Sequence, residues 1–342
     1  MRKTAADVHE NGRNLSEGAY VEQLTSLEIC AGAGGQASGL ERAGFGHALA
    51  VEIEPPAAAT LRLNRPEWNV LEGDVREVDG KAYRGIDLLA GGVPCPPFSV
   101  AGKQLGADDE RDLFPEAIRL VREAKPTAVM LENVKGLASQ RFAPYRDSIL
   151  DELGYDADWK LLESASFGVP QLRPRFILVA IKRRYFKNFT WGVRAERTMT
   201  VGEALHPFMA AEGWSGADAW AARANRVAPT LVGGSKKHGG ADLGPTRAKA
   251  AWLTLGVDGK GIADEAPNAE TAFDHIPRLT LQMAAAVQGF APDWAISGRK
   301  TAAYRQIGNA FPPPVAEAIG LQIRTALQGR AAASSRRLEV AG

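Results

Sequence analysis

Cysteine is nearly missing from this chain of 342 residues, which carries only Cys30 and Cys95. Each falls at the end of a predicted strand, so a disulfide framework is excluded and a reducing, cytoplasmic setting is expected. No run of about 18 apolar residues is present, which excludes a membrane-spanning helix. The first 22 residues are polar and lack the apolar centre of a signal peptide; they read as a flexible leader. Internal repeats are absent, and no metal site is expected. Net charge of one sign is also lacking, since 41 basic residues face 40 acidic ones.

What is present is an ordinary globular composition, 45% hydrophobic and 24% charged, with its basic residues unevenly spread. Between Gly168 and Ala195 lie Arg173, Arg175, Lys182, Arg183, Arg184, Lys187 and Arg194, with no acidic residue. A second basic stretch, Arg223 to Lys260, is offset only by Asp242 and Asp258. Patches of this kind suit a phosphate backbone, or equally a solvated face.

The chain is organised around Ile86–Gly102, IDLLAGGVPCPPFSVAG. A short apolar strand passes through Gly91-Gly92 and presents Cys95 between Pro94 and Pro96-Pro97, which restrict φ on both sides of the thiol. Upstream, Leu24–Cys30 predicts a strand followed by the glycine turn Gly32, Gly34, Gly35 and a helix from Gln36 to Ala43. Gly32-x-Gly34-x-x-Ala37 fits the loose dinucleotide fingerprint. His47–Ile53 predicts a second strand ending at Glu52 and Glu54, where an acid can accept ribose hydroxyls. Pro55-Pro56 then open a helix to about Asn64. The turn Glu72–Val75 follows, suited to an adenine edge or merely to the surface.

Further on, Leu113–Glu123 predicts a helix, Thr127–Leu131 a strand delivering Glu132 and Asn133, and Tyr145–Leu153 a helix stopped by Gly154. Trp159–Leu162 and Phe176–Ile181 complete the sheet. Between them Gln171, Arg173 and Arg175 alternate and share one face if extended. Alternating strands and helices predict a doubly wound α/β fold. From Tyr185 to Pro277 the chain turns rich in Gly, Pro, Thr, Trp and basic residues, with helical period only at Ala217–Ala224. It reads as a smaller, loop-rich second domain. Thr280–Gln288 restores a helix. Then come a polar loop at Gly308-Asn309, a closing helix to about Leu327, and a disordered tail, residues 328–342.

A clamped thiol, an acid and arginines at one sheet edge form an arrangement for covalent attack on an electron-poor ring. Cytosine is such a ring: attack at carbon 6, assisted by protonation of N3, makes carbon 5 nucleophilic. The base must leave the duplex to be reached.

From Leu24 to Leu327 the chain resembles the DNA (cytosine-5-)-methyltransferases of bacterial restriction–modification type. LEICAGAGG, VEIEP, GDV, GGVPCPPFSVAG, LENVKGL, QLRPR, RLTLQMAAAVQGF and YRQIGNAFPPPVAEAI are similar to that family's blocks, in its order. The resemblance implies a Rossmann-like S-adenosylmethionine-dependent methyltransferase sheet of seven mixed strands. It also implies a target-recognition domain over 185–277, with 278–327 returning to the catalytic domain of 23–184. Cys95 is then the nucleophile and Glu132 the acid at N3, with Asn133 supporting the loop. Gln171, Arg173 and Arg175 order the site. S-adenosylmethionine is held by Cys30, Ala31, Gly32, Gly34 and Gly35 at its methionine end and by Glu52 at its ribose. Ile53, Asp74 and Val75 meet its adenine, and Asn309 completes the pocket. Thr230 and Leu231 are similar to the Thr-Leu pair of recognition domains, with Lys236, Lys237, His238, Arg247 and Lys249 as DNA contacts. The implied partner is double-stranded DNA, met by a monomer, with a possible cognate restriction endonuclease not in direct contact.

Three departures from the family pattern are Pro96, where glutamine is common, Ile53, where an aromatic is frequent, and Gln282-Met283, where Arg and Glu are usual. Competing expectations are a nicotinamide-dependent oxidoreductase, which leaves Cys95 and Glu132 unexplained, a tRNA cytosine methyltransferase, and a DNA-binding module without activity. Against the tRNA enzyme stand the roughly 90 residues of the second domain, which is shortened in family members of that kind.

Overall fold

The short apolar runs of the first half become seven strands of one sheet. A computed structural model describes residues 23–94, 112–192, 195–233 and 240–339, with only the backbone of 329–339. The strands are β1 (Leu24–Ile29), β2 (Phe45–Glu52), β3 (Val70–Glu72), β4 (Leu88–Gly91), β5 (Ala128–Val134), β6 (Asp156–Glu163) and β7 (Pro174–Ile181), in the order β3-β2-β1-β4-β5-β7-β6. All neighbours run parallel except β7, which is antiparallel to both β5 and β6. The central strands are apolar nearly throughout because both faces are covered, as parallel sheets require.

Helix α1 (Gly35–Arg42) and the long α11 (Pro313–Glu339) cover one face, joined by the short α5 (Arg183–Phe186). Their approach depends on small residues: a Cβ at Gly39 would stand 2.4 Å from the Pro313 carbonyl oxygen. Helices α3 (Phe114–Ala124) and α4 (Ala143–Leu153) cover the other face, and α2 (Pro55–Asn64) packs at the β2–β3 edge. Gly154 ends α4 in the left-handed conformation, at φ 66°, as its position predicts.

The second region is more helical than expected. It holds α6 (Val201–Ala210), α7 (Ala217–Arg223) and α8 (Thr246–Leu253), and no strand among the described residues. Helix α6 starts at a capping box in which Thr200 and Glu203 satisfy each other's backbone amides. A single apolar cluster containing Trp214, Trp220 and Trp252 runs from these helices into α9 (Leu281–Gln288) and α10 (Lys300–Asn309). Met283, where the family usually carries a charged residue, is fully buried in it.

Two expectations need correction. Gly308-Asn309 is not in a loop but ends α10, because Tyr304 and Ile307, three apart, bury one face of a helix. The tail is not wholly irregular, since α11 runs on to Glu339 through the helix-favouring Ala331–Ala333. The leader 1–22 lies outside the described residues.

Glu28 breaks the apolar pattern of β1. Its side chain shares a face with Ala50 and Ala90 across the ladder, is fully buried, and finds no hydrogen-bond partner for either oxygen. Burial therefore pushes its pKa up to about 8, and the native state holds it as the neutral acid. Below about pH 4.5 both native and unfolded states carry the proton, so there is no cost. As pH rises towards about 8 only the unfolded state releases it, and native stability falls. Glu28→Gln, which cannot titrate, is expected to gain on the wild type by roughly a few kcal/mol between pH 4.5 and 8. Denaturant unfolding across that range checks this, and a pH-independent difference would contradict a neutral Glu28.

Candidate active site

The strand order reverses between β1 and β4, and in open α/β sheets the crevice outside the carboxyl ends at that point is where ligands bind. A cavity opens there. It is walled by the β1–α1 loop from Cys30 to Gln36, by Glu52 and Glu54 after β2, by Gly92 after β4 and by Glu132 of β5. The outer wall comes from α10, where Ala302, Arg305, Gln306 and Asn309 line it at i, i+3, i+4 and i+7.

At the inner end Glu132 and Arg175 form a buried ion pair. Glu132 sits opposite Ile177 in the β5–β7 ladder, so Arg175, two residues from Ile177, is its diagonal neighbour on the same face. Arg175 Nε stands 2.6 Å from Glu132 Oε1, each side chain about nine-tenths buried. The contact is a charge pair, since the N–H does not aim at the oxygen. Burial raises the pKa of Glu132, and Arg175 and then Arg173 pull it back; burial wins. The carboxyl is thus biased towards carrying a proton.

Cys95 itself lies outside the described residues, as do Pro96 and Lys236–His238, but the chain leading to Cys95 is anchored beside Glu132. Asn133 donates from Nδ2 to the Val93 carbonyl at 2.9 Å, and the Leu113 amide donates to the Pro94 carbonyl at 3.2 Å. A Cβ at Gly92 would come within 3.2 Å of Glu132 Oε2, so the glycine lets the backbone pass close to the acid. The other cysteine is unsuited to attack. Cys30 is held in the left-handed region at φ 52°. Burial, then Glu52, Asp74 and Glu28, push its thiol up to about 12.

The alternating Gln171, Arg173 and Arg175 do not share one task. Arg173 is buried and donates to three backbone carbonyls, Leu231 at 2.8 Å, Gly308 at 2.7 Å and Ala310 at 3.0 Å. Gln171 accepts from the Leu231 amide at 2.7 Å and donates to Gln288 Oε1 at 2.9 Å. These two join the sheet to the second region, and only Arg175 reaches the acid.

The cofactor candidates divide likewise. Cys30, Ala31, Gly32, Gly35, Glu52 and Asn309 line the cavity, whereas Gly34, Ile53, Asp74 and Val75 do not. Gly34, at φ 81°, has no room for a side chain beside Leu61 and Trp294. Ile53 is exposed just past β2, Asp74 caps the turn after β3 and pairs with Arg76, and the Val75 side chain is buried in the core. Glu52 accepts the Gly32 and Glu54 amides at 2.7 and 2.8 Å, which shapes the loop and leaves lone pairs on both oxygens for ribose hydroxyls.

The donor set fits an amino-acid nucleoside. An acid stands at the end of β2, and the N-terminal amides of α1 have no side-chain cap and no acidic residue in the first turn. Gly32, with nothing within 4 Å of its would-be Cβ, keeps the cavity floor open. Gln36, Arg305, Gln306 and Phe311 also line the cavity and were not anticipated. The helical spacing along α10 was readable, but its polar residues made it look like a loop.

Of the DNA candidates, Thr230 donates its hydroxyl to the Leu172 carbonyl, and Leu231 is a correction: fully buried, it is a core residue and not a DNA-facing one. Arg247 is exposed on α8, and Lys249 is held against Asp242 at 2.7 Å. No helix among the described residues is long and apolar enough to cross a membrane.

The chain matches the C-5 cytosine-specific DNA methylase family over residues 24–325. It is 58% identical to the type II methyltransferase M.NaeI of Lentzea aerocolonigenes over 90% of this chain and 76% of that one. With M.NgoMIV of Neisseria gonorrhoeae it shares 55% identity over 90% of this chain and 99% of the relative. The fold is that of an E. coli prophage protein described as a putative DNA modification methyltransferase (TM-score 0.63, 22% identity, 89% of this chain and 99% of that one). It is also that of Spodoptera frugiperda DNMT2 (TM-score 0.60, 17% identity, the same shares). The oxidoreductase expectation falls with these matches. The chain belongs to the C-5 cytosine-specific DNA methyltransferases, enzymes that use S-adenosylmethionine to methylate carbon 5 of cytosine in DNA.

Proposed function

We propose that the chain is the modification arm of a restriction–modification system. It methylates cytosine within a specific double-stranded sequence, by way of a covalent bond from Cys95 to carbon 6 of a flipped-out base. The observation that carries this reading is the buried Glu132–Arg175 pair beside Gly92–Pro94, at the inner end of the cavity. A carboxyl biased towards its neutral form can hold a proton on cytosine N3 while the thiolate adds, which places the electron pair on carbon 5. Bound S-adenosylmethionine supplies an electrophilic methyl group. Loss of the carbon 5 proton then expels the Cys95 sulfur and restores the ring. Asn133 keeps the loop before Cys95 in register with Glu132, and Arg175 steadies the carboxylate whenever it is ionised. Glu52 holds the ribose, the α1 N-terminus the methionine end, and Asn309 closes the outer wall. Residues 185–277 act as the recognition domain, with Lys236, Lys237, His238, Arg247 and Lys249 meeting DNA. The enzyme works as a cytoplasmic monomer, without direct contact to a cognate nuclease.

Methylation-sensitive sequencing of a plasmid from cells expressing the chain tests this reading: 5-methylcytosine confined to one sequence context is expected, and an unmodified plasmid refutes it. Cys95→Ala is expected to abolish methyl transfer while keeping cofactor and DNA binding, checked by transfer of labelled methyl groups beside binding assays. Glu132→Gln is expected to lower the rate by about 10²–10⁴-fold. Because Arg175 lowers the pKa of Glu132, Arg175→Gln is expected to raise it. The alkaline fall of the pH–rate profile, where the acid loses its proton, then moves to higher pH; a move to lower pH contradicts the acid role. Replacing Lys236 and Lys237 by Ala is expected to flatten the salt dependence of DNA binding, by about one unit of slope for each phosphate the variant no longer neutralises, measured by titration at several salt concentrations.

A further inference from the structure

The segment from Thr230 to Gly233 lies a few residues before Lys236 and Lys237 in the sequence. Its start is pinned by three contacts, from Thr230 to the Leu172 carbonyl, from the Leu231 amide to Gln171, and from Arg173 to the Leu231 carbonyl. It then crosses the end of α10 at a pair of interlocked glycines. A Cβ at Gly233 would stand 2.5 Å from Asn309 Oδ1 and 2.6 Å from the Arg305 carbonyl oxygen. A Cβ at Gly308 would stand 2.4 Å from the Gly233 nitrogen and 2.5 Å from its Cα. Neither glycine has a left-handed backbone, so contact alone demands glycine at both positions. Arg305 and Asn309 of the same α10 turn also line the cavity.

We propose that Gly233, a residue of the DNA-recognition segment, is a positioning residue for cofactor binding, acting through the Asn309 side chain. The proposal rests on the reading that this cavity holds S-adenosylmethionine. The backbone of α10 cannot yield easily, because Arg173 holds the Gly308 and Ala310 carbonyls and Gln288 donates to Ala310 at 2.5 Å. A side chain at position 233 therefore pushes the Asn309 side chain from the wall, and the segment itself must shift to clear the Arg305 carbonyl. By linkage the relation is reciprocal: whatever DNA does to the Gly233 backbone is felt by the cofactor, and the reverse.

The test is calorimetric titration of S-adenosylhomocysteine into the full-length protein without DNA. Gly233→Ala is expected to weaken binding by about tenfold while circular dichroism shows the fold retained. In an Asn309→Ala background, where the side chain that would be displaced is already gone, the same substitution is expected to cost clearly less, with only the contact to the Arg305 carbonyl remaining. Unchanged affinity in Gly233→Ala overturns the proposal, and so does an equal loss in both backgrounds, which would mark a general disturbance. If Gly233→Ala does not fold, Asn309→Ala alone decides: a loss of affinity is expected, and unchanged affinity overturns the proposal, since Gly233 acts through that side chain. A wild type that binds no S-adenosylhomocysteine overturns the cavity reading beneath the proposal.

Discussion

The Arg173 guanidinium is the contact on which the arrangement of this enzyme depends. It is buried beside the end of β7 and donates to carbonyls of Leu231, Gly308 and Ala310, which belong to two separate stretches of the second half of the chain. A full charge in the interior is tolerated only where dipoles or counter-charges surround it, and removing such surroundings is costly. Here three carbonyl dipoles do so, with the Glu132–Arg175 pair close by. The charge thus makes the sheet, the segment around Leu231 and the end of α10 members of one electrostatic unit. Movement of any one of them would leave an arginine short of partners.

This explains why neighbouring residues of one motif have different tasks. Alternation along the approach to β7 points Gln171, Arg173 and Arg175 to the same side, but the layers they meet differ. The first two meet the segment around Leu231 and the ends of α9 and α10, while the third lies over β5 and finds Glu132. Glu132, the acid proposed for N3, is therefore held by the same short stretch that fastens the second region. Glu52 doubles similarly, since the carboxylate proposed for the ribose also accepts two amides that shape the glycine loop.

Most of the sheet was legible because its strands are short, apolar and punctuated by Gly and Pro, and so were Glu132, Asn133 and the glycine loop at strand ends. What escaped has identifiable causes. The second region looked loop-rich because Gly, Pro and Trp mask helical period, yet the Thr200–Glu203 capping box was readable in TVGE. Helix α10 looked like a polar loop because one side faces a cavity and carries Arg305, Gln306 and Asn309 for that reason. Leu231 was assigned to DNA through its motif, whereas only burial reveals that the Thr-Leu pair is a fastening. Glu28 gave no sign of its state, since a single acid in an apolar strand does not announce the lack of a partner.

The interlocked glycines also define where the protein can be diversified. Gly233 occupies the space a side chain at Gly308 would need, and Asn309 and Arg305 occupy the space a side chain at Gly233 would need. Up to Gly233 the segment is fastened to the approach of β7 and to α10. If residues 185–277 form the recognition domain proposed above, an exchange of recognition sequences between relatives has to respect these contacts. Grafts that keep residues 230–233 leave the fastening at Leu231 intact, whereas grafts joined upstream of them replace the partner of Arg173.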